Sequence, residues 1–515
     1  MTTTEPKVLG ERARFAATIT GLIAGFTMVL GGTITNVAIP DVMGAFGVGQ
    51  DTAQFLSTGY IATMTASQLL AAWFITVFGR RASFSAIMLV FMTAGLVCAF
   101  SPNIETLIIG RIAQGFCAGI VQPLVMTLII SLYPPEQRGR AIGLYVGMLG
   151  LAVGFGPVVG GVTVDALGWR WIFLVSLPFI SLALTLGTLF IPEEKAERKK
   201  IPFDWLGYGL LCLALLGLMS AIANGHREGW SSDLIVTYWA VGATATFAFI
   251  VSQSIRTVPL LDFSLFADAR FASAIALAIV FGMGNFSTAY AIPVFGQLVL
   301  NLTPSSAGLV LLPAGILSSI ATIIVGRMVD RVSPLALIFF GMGLFIAGTL
   351  ALSGADANLP LATLIGLAML CRLGHSFMGP SITATAIRAL PPEDINRASG
   401  TINFFRQMGG AFGINCMVAA IEVRTSYHQQ ALGGTQHDAN RSTDAFLSAA
   451  REMLRPSGLP DSIADSVALN FLDASVAAQA DAFAWRDGFL LLTAVILFSA
   501  VPAWFLGRAQ RARAY

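Results

Sequence analysis

Charge is scarce in this chain. Of 515 residues, 11% are Asp, Glu, Lys or Arg, against 56% hydrophobic. That ratio excludes a soluble domain of ordinary composition. Lysine is rarer still: Lys7, Lys195, Lys199 and Lys200 are all there are, and none follows a glycine. A GxxxxGK(S/T) phosphate loop is therefore missing, which excludes direct ATP hydrolysis by this polypeptide. The histidines, His226, His375, His428 and His437, show no HExxH or similar spacing, so no hydrolytic metal site is expected. Cys98, Cys117, Cys212, Cys371 and Cys416 are odd in number and lie singly in apolar runs, reading as packing residues rather than a disulfide or CxxC framework. No enzyme activity, no cofactor and no nucleic-acid partner is expected.

Apolar runs of bilayer-spanning length are abundant. Fourteen can be read between residues 15 and 507, the thirteenth at 396–420 and the last at 488–507. An even number places both termini on one side. Most of the 30 lysines and arginines fall on that side, while the short loops on the other hold only Arg170 and Arg227. The positive-inside rule makes the termini cytoplasmic in a multi-pass protein of the cell (inner) membrane. The fold class expected is all-α and polytopic.

The second half echoes the first. PPEQRGRAIG at Pro134–Gly143 recurs as PPEDINRASG at Pro391–Gly400, and AWFITVFGRR at Ala72–Arg81 has a shorter echo in GRMVDRVSP at Gly326–Pro334. Two six-helix bundles, 1–200 and 263–515, with two inserted transmembrane helices between them at 201–262, account for both the count and the repeat. The second bundle carries a long hydrophilic external loop, 421–487, in which SIADSVALNFLDASVAAQADAF has the pattern of an amphipathic helix.

Two features inside the runs point to function. Gly143–Gly161 is rich in glycine, and the steps along a helix put Gly143, Gly147, Gly150 and Gly154 on one face, where another backbone can approach closely. Gly156, Pro157, Gly160 and Gly161 follow, and Pro157 invites a bend. Second, no Asp or Glu falls inside any run, yet Arg111, Arg372, His375 and Arg406 do. An ionisable group in hydrocarbon costs roughly 2.5–3.5 kcal/mol or more, so such residues normally face a cavity. The alternative is that they bond backbone carbonyls or bridge helices. Asn36, Tyr60, Gln68, Gln114, Asn285, Gln297 and Asn403 are polar candidates for the same cavity, although a single polar residue equally serves an interhelical hydrogen bond. For proton coupling, His375 is the titratable group inside the runs and Asp41 a remote second at the outer edge.

TITNVAIP at Thr33–Pro40, RIAQG at Arg111–Gly115, GFGPVVGG at Gly154–Gly161 and LNLTPSSAGLVLLP at Leu300–Pro313 carry a family resemblance. Over nearly its full length the chain resembles the major facilitator superfamily, and within it the fourteen-helix drug:proton antiporters of the EmrB and QacA type. The resemblance implies a secondary active exporter of hydrophobic or amphiphilic small molecules, working by alternating access and driven by a proton gradient. It also implies an antiporter helix at Gly147, Gly150, Gly154, Gly156, Pro157, Gly160 and Gly161. A cytoplasmic gate is implied at Arg81, Arg140, Gly326, Asp330, Arg331 and Arg397. The partners so implied are the lipid bilayer and an amphiphilic substrate; the outer loop is either a solvated cap or, as in EmrB-like proteins, the meeting point of a periplasmic adaptor protein, and the oligomeric state expected is a monomer.

Departures from the family pattern shape the substrate. Gly31 stands where such antiporters usually carry an aspartate, and Ala72 and Thr76 replace the glycine and acid of the loop after the second helix. A cavity with guanidinium groups and no carboxylate is expected to prefer anionic or neutral amphiphiles to cations. An importer or uncoupled facilitator of lipid-like or organic-anion substrates is the alternative, and a non-transporting scaffold or receptor a third class.

Overall fold

The structure is a computed structural model describing residues 11–48, 50–53, 55–134, 137–193, 202–257, 259–391, 394–437, 440–457 and 460–511. Among these residues all regular structure is helical. The first half comprises α1 (Glu11–Ile34), α2 (Phe55–Phe78), α3 (Arg80–Ala99), α4 (Ile104–Leu132), α5 (Arg138–Leu167) and α6 (Trp171–Phe190). A hairpin follows, α7 (Trp205–Glu228) and α8 (Asp233–Ile255). The second half comprises α9 (Ala269–Leu298), α10 (Pro304–Met328), α11 (Pro334–Leu352), α12 (Leu361–Arg388), α13 (Ile395–Gly433), α14 (Arg441–Leu454) and α15 (Asp461–Phe498). A short helix, Ala500–Arg511, ends the described chain.

Polar side chains begin several of these helices by accepting hydrogen bonds from the otherwise unpaired first-turn N–H groups: Asn103 from Thr106 N, Ser232 from Ile235 N, Asp268 from Arg270 N and Thr303 from Ser306 N. Gly79 joins α2 to α3 in a single residue at φ +80°, a conformation that side chains with a Cβ rarely adopt.

Among the described residues thirteen helices are long and apolar enough to cross a membrane. The expected run at 396–420, which is not among these thirteen, lies within α13, which is amply long, but Asn403, Arg406, Gln407 and Asn415 make it more polar than the rest. The segment 421–487, expected as a loop, is instead largely helical. α13 runs on past residue 421, α15 already begins at Asp461, and α14 packs against α15, so two rods and a short helix stand beyond the far ends of their neighbours. The expected helix at SIADSVALNFLDASVAAQADAF is the first part of α15. A hydrophilic composition says that a segment leaves the membrane; it does not say that the helix ends there.

Glycine contacts give the helix directions. α2 and α4 run parallel, with a Cβ on Gly115 or Gly119 standing 2.4 Å from Tyr60 O or 2.2 Å from Met64 O. α9 and α13 are also parallel, Gly282 facing Arg406 and Gly413 facing Met283. α5 and α10 are antiparallel, Gly143 lying against Thr322 and Gly326, and Gly154 against Leu311 and Gly315. Each half has its own apolar core, one around Met28, Phe84, Phe91 and Leu124, the other around Phe281, Phe295, Phe345 and Phe489. A smaller cluster links Ala62, Ala66 and Leu69 of α2, Leu211 and Leu215 of α7, and Phe404 and Ala411 of α13, so the hairpin packs on both halves. At the end of the bundle where α1 begins, here termed the near side, α13 packs on α2 and α4.

Candidate functional site

Arg111 of α4 is 1% exposed. Its Nε donates to Leu56 O at 3.2 Å, and its Nη1 donates to Gly31 O at 3.1 Å and to Gln114 Oε1 at 2.9 Å. The guanidinium sits 4.2 Å above the Tyr60 ring, a contact worth about 2 kcal/mol when desolvated. Tyr60 in turn donates its hydroxyl to Met28 O at 2.7 Å. Gly31, standing where an aspartate is expected by resemblance, thus offers a carbonyl oxygen to the arginine. Arg111, Gln114 and Tyr60 form one cluster of the first half, tying α1, α2 and α4 together. The Asn36 side chain lies outside the described residues.

Arg372, His375 and Asn285 meet near the middle of α12 and α9. Arg372 Nη1 donates to Asn285 Oδ1 at 2.6 Å, while its Nη2 is buried with no hydrogen-bond partner in the protein. His375, one turn on, places Nδ1 3.1 Å from Cys371 O, and its ring lies 5.2 Å from that of Phe281 and 4.4 Å from that of Phe345. Ser376 donates to Arg372 O at 2.8 Å and stands 2.8 Å from the Ser318 hydroxyl of α10. Among the described residues none of Arg111, Arg372 and Arg406 is ion-paired with a carboxylate.

The remaining candidates divide between the seam and elsewhere. Asn403 donates Nδ2 to Ser399 O at 2.9 Å and lies 3.4 Å from Met126 Sδ of α4, across the junction between the halves. Arg406 donates to Asn403 Oδ1. Gln68 is fully buried on the same seam. Gln297, by contrast, reaches Pro293 O of its own helix, at 3.5 Å, and Asp41 is exposed in the first turn of the short helix Ile39–Phe46.

Sequence reasoning missed Gln122 and Tyr145. Tyr145 donates to Gln122 O at 2.9 Å, joining α5 to α4, and lies within electrostatic reach of Arg406. It also missed Ser318 and Ser319, whose adjacency in an apolar helix was the available signal.

α5 is one continuous helix through position 157, and the Pro157 side chain lies outside the described residues. Its glycines form two faces. Gly143, Gly147, Gly150 and Gly154 meet α10, and Ser319 donates to Gly147 O at 2.7 Å. Gly156 and Gly160 meet α1, where a Cβ would stand 1.9 Å from Thr33 Oγ1 or 2.9 Å from Ile34 O, while Gly161 faces open space. Thus one helix is pressed against both its own half and the other.

At the near side, Arg81 pairs with Glu193 at 3.6 Å, both well exposed. Thr76, in the place of the family's acid, donates to Ala72 O of its own helix. Asp330 pairs with Arg388 at 2.9 Å and Arg397 with Asp262 at 3.2 Å, linking α10 to α12, and α13 to the segment before α9. Gly326 faces Gly143, and Arg331 is exposed. The Arg140 side chain lies outside the described residues.

Two helical halves pressed together along glycine faces, with guanidinium and imidazole groups at mid-depth, define a multi-pass membrane transporter of small molecules. The chain belongs to the Major Facilitator Superfamily, whose family model matches residues 21–414. It is 32% identical over 392 residues to the multidrug resistance protein Stp of Mycobacterium tuberculosis, covering 75% of this chain and 72% of that one. It is 30% identical over 397 residues to the lincomycin resistance protein LmrB of Listeria monocytogenes, covering 76% of this chain and 83% of that one. The crystal structure of the human organic anion transporter MFSD10 (TETRAN) shares the fold, with a TM-score of 0.59 at 14% identity over 96% of this chain and 100% of that one.

Proposed function

We propose that the chain is a secondary active exporter of hydrophobic or amphiphilic small molecules that prefers anionic or neutral substrates to cations. Its relatives carry the names of drug-resistance proteins, which supports export. One observation carries the charge preference: Arg372 is buried near mid-depth with Nη2 unengaged and no carboxylate paired to it. An anionic group about 4 Å from that guanidinium gains roughly 4 kcal/mol at an effective dielectric of 20, and a cation there is repelled by as much.

The units 1–200 and 263–515 rock against each other about this region, with the hairpin 201–262 packed across one seam. The near side is cytoplasmic, and the close packing of α2 and α4 on α13 there corresponds to a state closed to the cytoplasm. Proton influx drives the cycle, with His375 as carrier at mid-depth and Asp41 as a collecting group on the outer surface. The protein acts as a monomer in the inner membrane, and the protrusion of α13, α14 and α15 is the surface that an adaptor would meet.

That no carboxylate among the described residues pairs with the mid-depth arginines favours a second reading, an uncoupled facilitator or importer of organic anions. Sealed proteoliposomes given a cationic, a neutral and an anionic probe separate the two. Export against a gradient, dependent on pH and strongest for the anion, is expected, with loss of the anion preference in Arg372→Ala. Tight binding of an ethidium-like cation, unaffected by Arg372→Ala, would refute the charge preference; accumulation only down a gradient at every pH would leave the facilitator.

A further inference from the structure

α2 is interrupted at Gln68–Leu70 by a 3₁₀ turn, and this turn packs against α13 of the other half. The approach is backbone to backbone: a Cβ placed on Gly400 would stand 3.1 Å from Gln68 O. On the other side, the preceding Ser67 is held by Tyr208 of α7, with 2.8 Å between the two hydroxyl oxygens. Between these supports Gln68 is 0% exposed, and neither Oε1 nor Nε2 has a hydrogen-bond partner in the protein. Ser399, the neighbour of Gly400, is equally covered, and its hydroxyl is likewise unengaged.

This differs in kind from the two arginine clusters. The acceptors of Arg111, namely Gly31, Leu56 and Gln114, all belong to the first half, and Asn285, the acceptor of Arg372, belongs to the second. Those bonds survive any rigid movement of one half against the other. The turn that carries Gln68, by contrast, meets the other half directly at Gly400, so the surroundings of this amide change when the seam opens. A side-chain amide brings two donors and an acceptor oxygen, and covering it without partners shifts an equilibrium by roughly tenfold or more against the covered state. When the halves part on the near side, water reaches the amide and the penalty disappears.

We propose that Gln68 is the return spring of the transport cycle. Its unsatisfied amide raises the free energy of the state closed at the near side, so that the empty carrier relaxes towards the state open there and is ready to load again. The inference rests on the alternating-access reading above, and on a physical asymmetry that the reading alone does not supply.

The test uses the full-length chain in lipid nanodiscs, with the exposed Cys416 replaced by serine. Spin labels are placed at Gln137→Cys and Ser333→Cys, exposed near-side positions on the two halves. The distance distribution of the substrate-free protein gives the populations of closed and open states. Gln68→Met, which keeps the side-chain volume and removes the polar atoms, is expected to move the population towards the short distance by about fivefold or more. Gln68→Glu, which buries a costlier group, is expected to move it towards the long distance. A Gln68→Met ratio within twofold of wild type, or a shift the other way, overturns the proposal; should Gln68→Met not fold, an unchanged Gln68→Glu ratio does the same. A wild-type protein with a single distance that neither substrate nor pH alters overturns the alternating-access reading, and the spring with it. Two wild-type distances with an indifferent Gln68 overturn the spring alone.

Discussion

Ser319 Oγ lies 2.7 Å from Gly147 O across the junction of α5 and α10, and 2.8 Å from Gly315 O of its own helix. Its single hydroxyl proton serves one acceptor at a time. The bond between the halves is therefore one that the protein can release without orphaning the donor, because the intrahelical acceptor is already in place. The glycines around it do the rest. With no side chains on that face of α5, the two backbones hold their spacing through contact alone.

Gly143→Val is expected to abolish most transport. The added Cβ would stand 2.8 Å from Thr322 O and 3.2 Å from Gly326 Cα, and backbone cannot step aside as a flexible side chain can. Export should fall at least about tenfold, whereas Ser319→Ala, which deletes only a replaceable bond, should cost less than about 1 kcal/mol of stability. Proteoliposome flux and thermal unfolding in detergent, measured on the same preparations, check both.

Arg111→Lys is expected to destabilise the first half by about 2–4 kcal/mol, since an ammonium cannot span the carbonyls of Gly31 and Leu56 and the amide of Gln114 as the planar fork does. Denaturant unfolding of the detergent-solubilised variant is the measurement. A loss of transport with unchanged stability would place Arg111 in substrate contact instead.

His375→Ala is expected to remove the pH dependence of accumulation while leaving passive exchange intact. The ring is packed between Phe281 and Phe345, so the cavity left by alanine will also lower stability. His375→Gln, closer in volume, controls for that loss. Unchanged pH dependence in both variants takes His375 out of the proton path.

Two aspartates on the near side should give acid profiles of opposite sign. A hydrogen bond from Arg270 holds the Asp268 carboxyl below the usual carboxylate range, against the opposing effect of burial. Its contribution is therefore present above the unfolded value, near 3.9, and is lost as pH falls through the lower folded value. Burial pushes Asp330 up, with Arg388 opposing, so its contribution is greatest at low pH and declines as pH rises from the unfolded value through the raised one. Asp268→Asn should flatten the acid limb of a stability–pH curve, and Asp330→Asn should remove the decline on the rising side.

The fold was legible in the sequence because a bilayer imposes lengths. The apolar runs follow from that constraint, and the α5 glycine steps marked a face that meets another backbone, that of α10. The partners of buried polar groups were much less legible. The spacing of Arg111 and Gln114 on one helix anticipates their contact, but Leu56 O and Gly31 O come from elsewhere in the chain, and carbonyls leave no trace in a residue pattern. Tyr145 and Gln122 were passed over for the same reason: their bond runs from a side chain to a backbone oxygen on another helix. The segment 421–487 was misread because polarity was taken to end the helices that it merely carries into water.

α13 has 39 residues, about 58 Å of unbroken helix at 1.5 Å per residue, nearly twice the hydrocarbon thickness of a bilayer. Its outer length is bolted to α15, with Asp487 accepting from both Arg424 and His428 and Asp481 accepting from Thr425. For a rod of that length, a tilt of a few degrees at the inner end is a displacement of several ångströms at the tip. A fluorophore at the exposed Met453 would therefore report, at the tip of this assembly, any tilt that the proposed cycle produces at the inner seam.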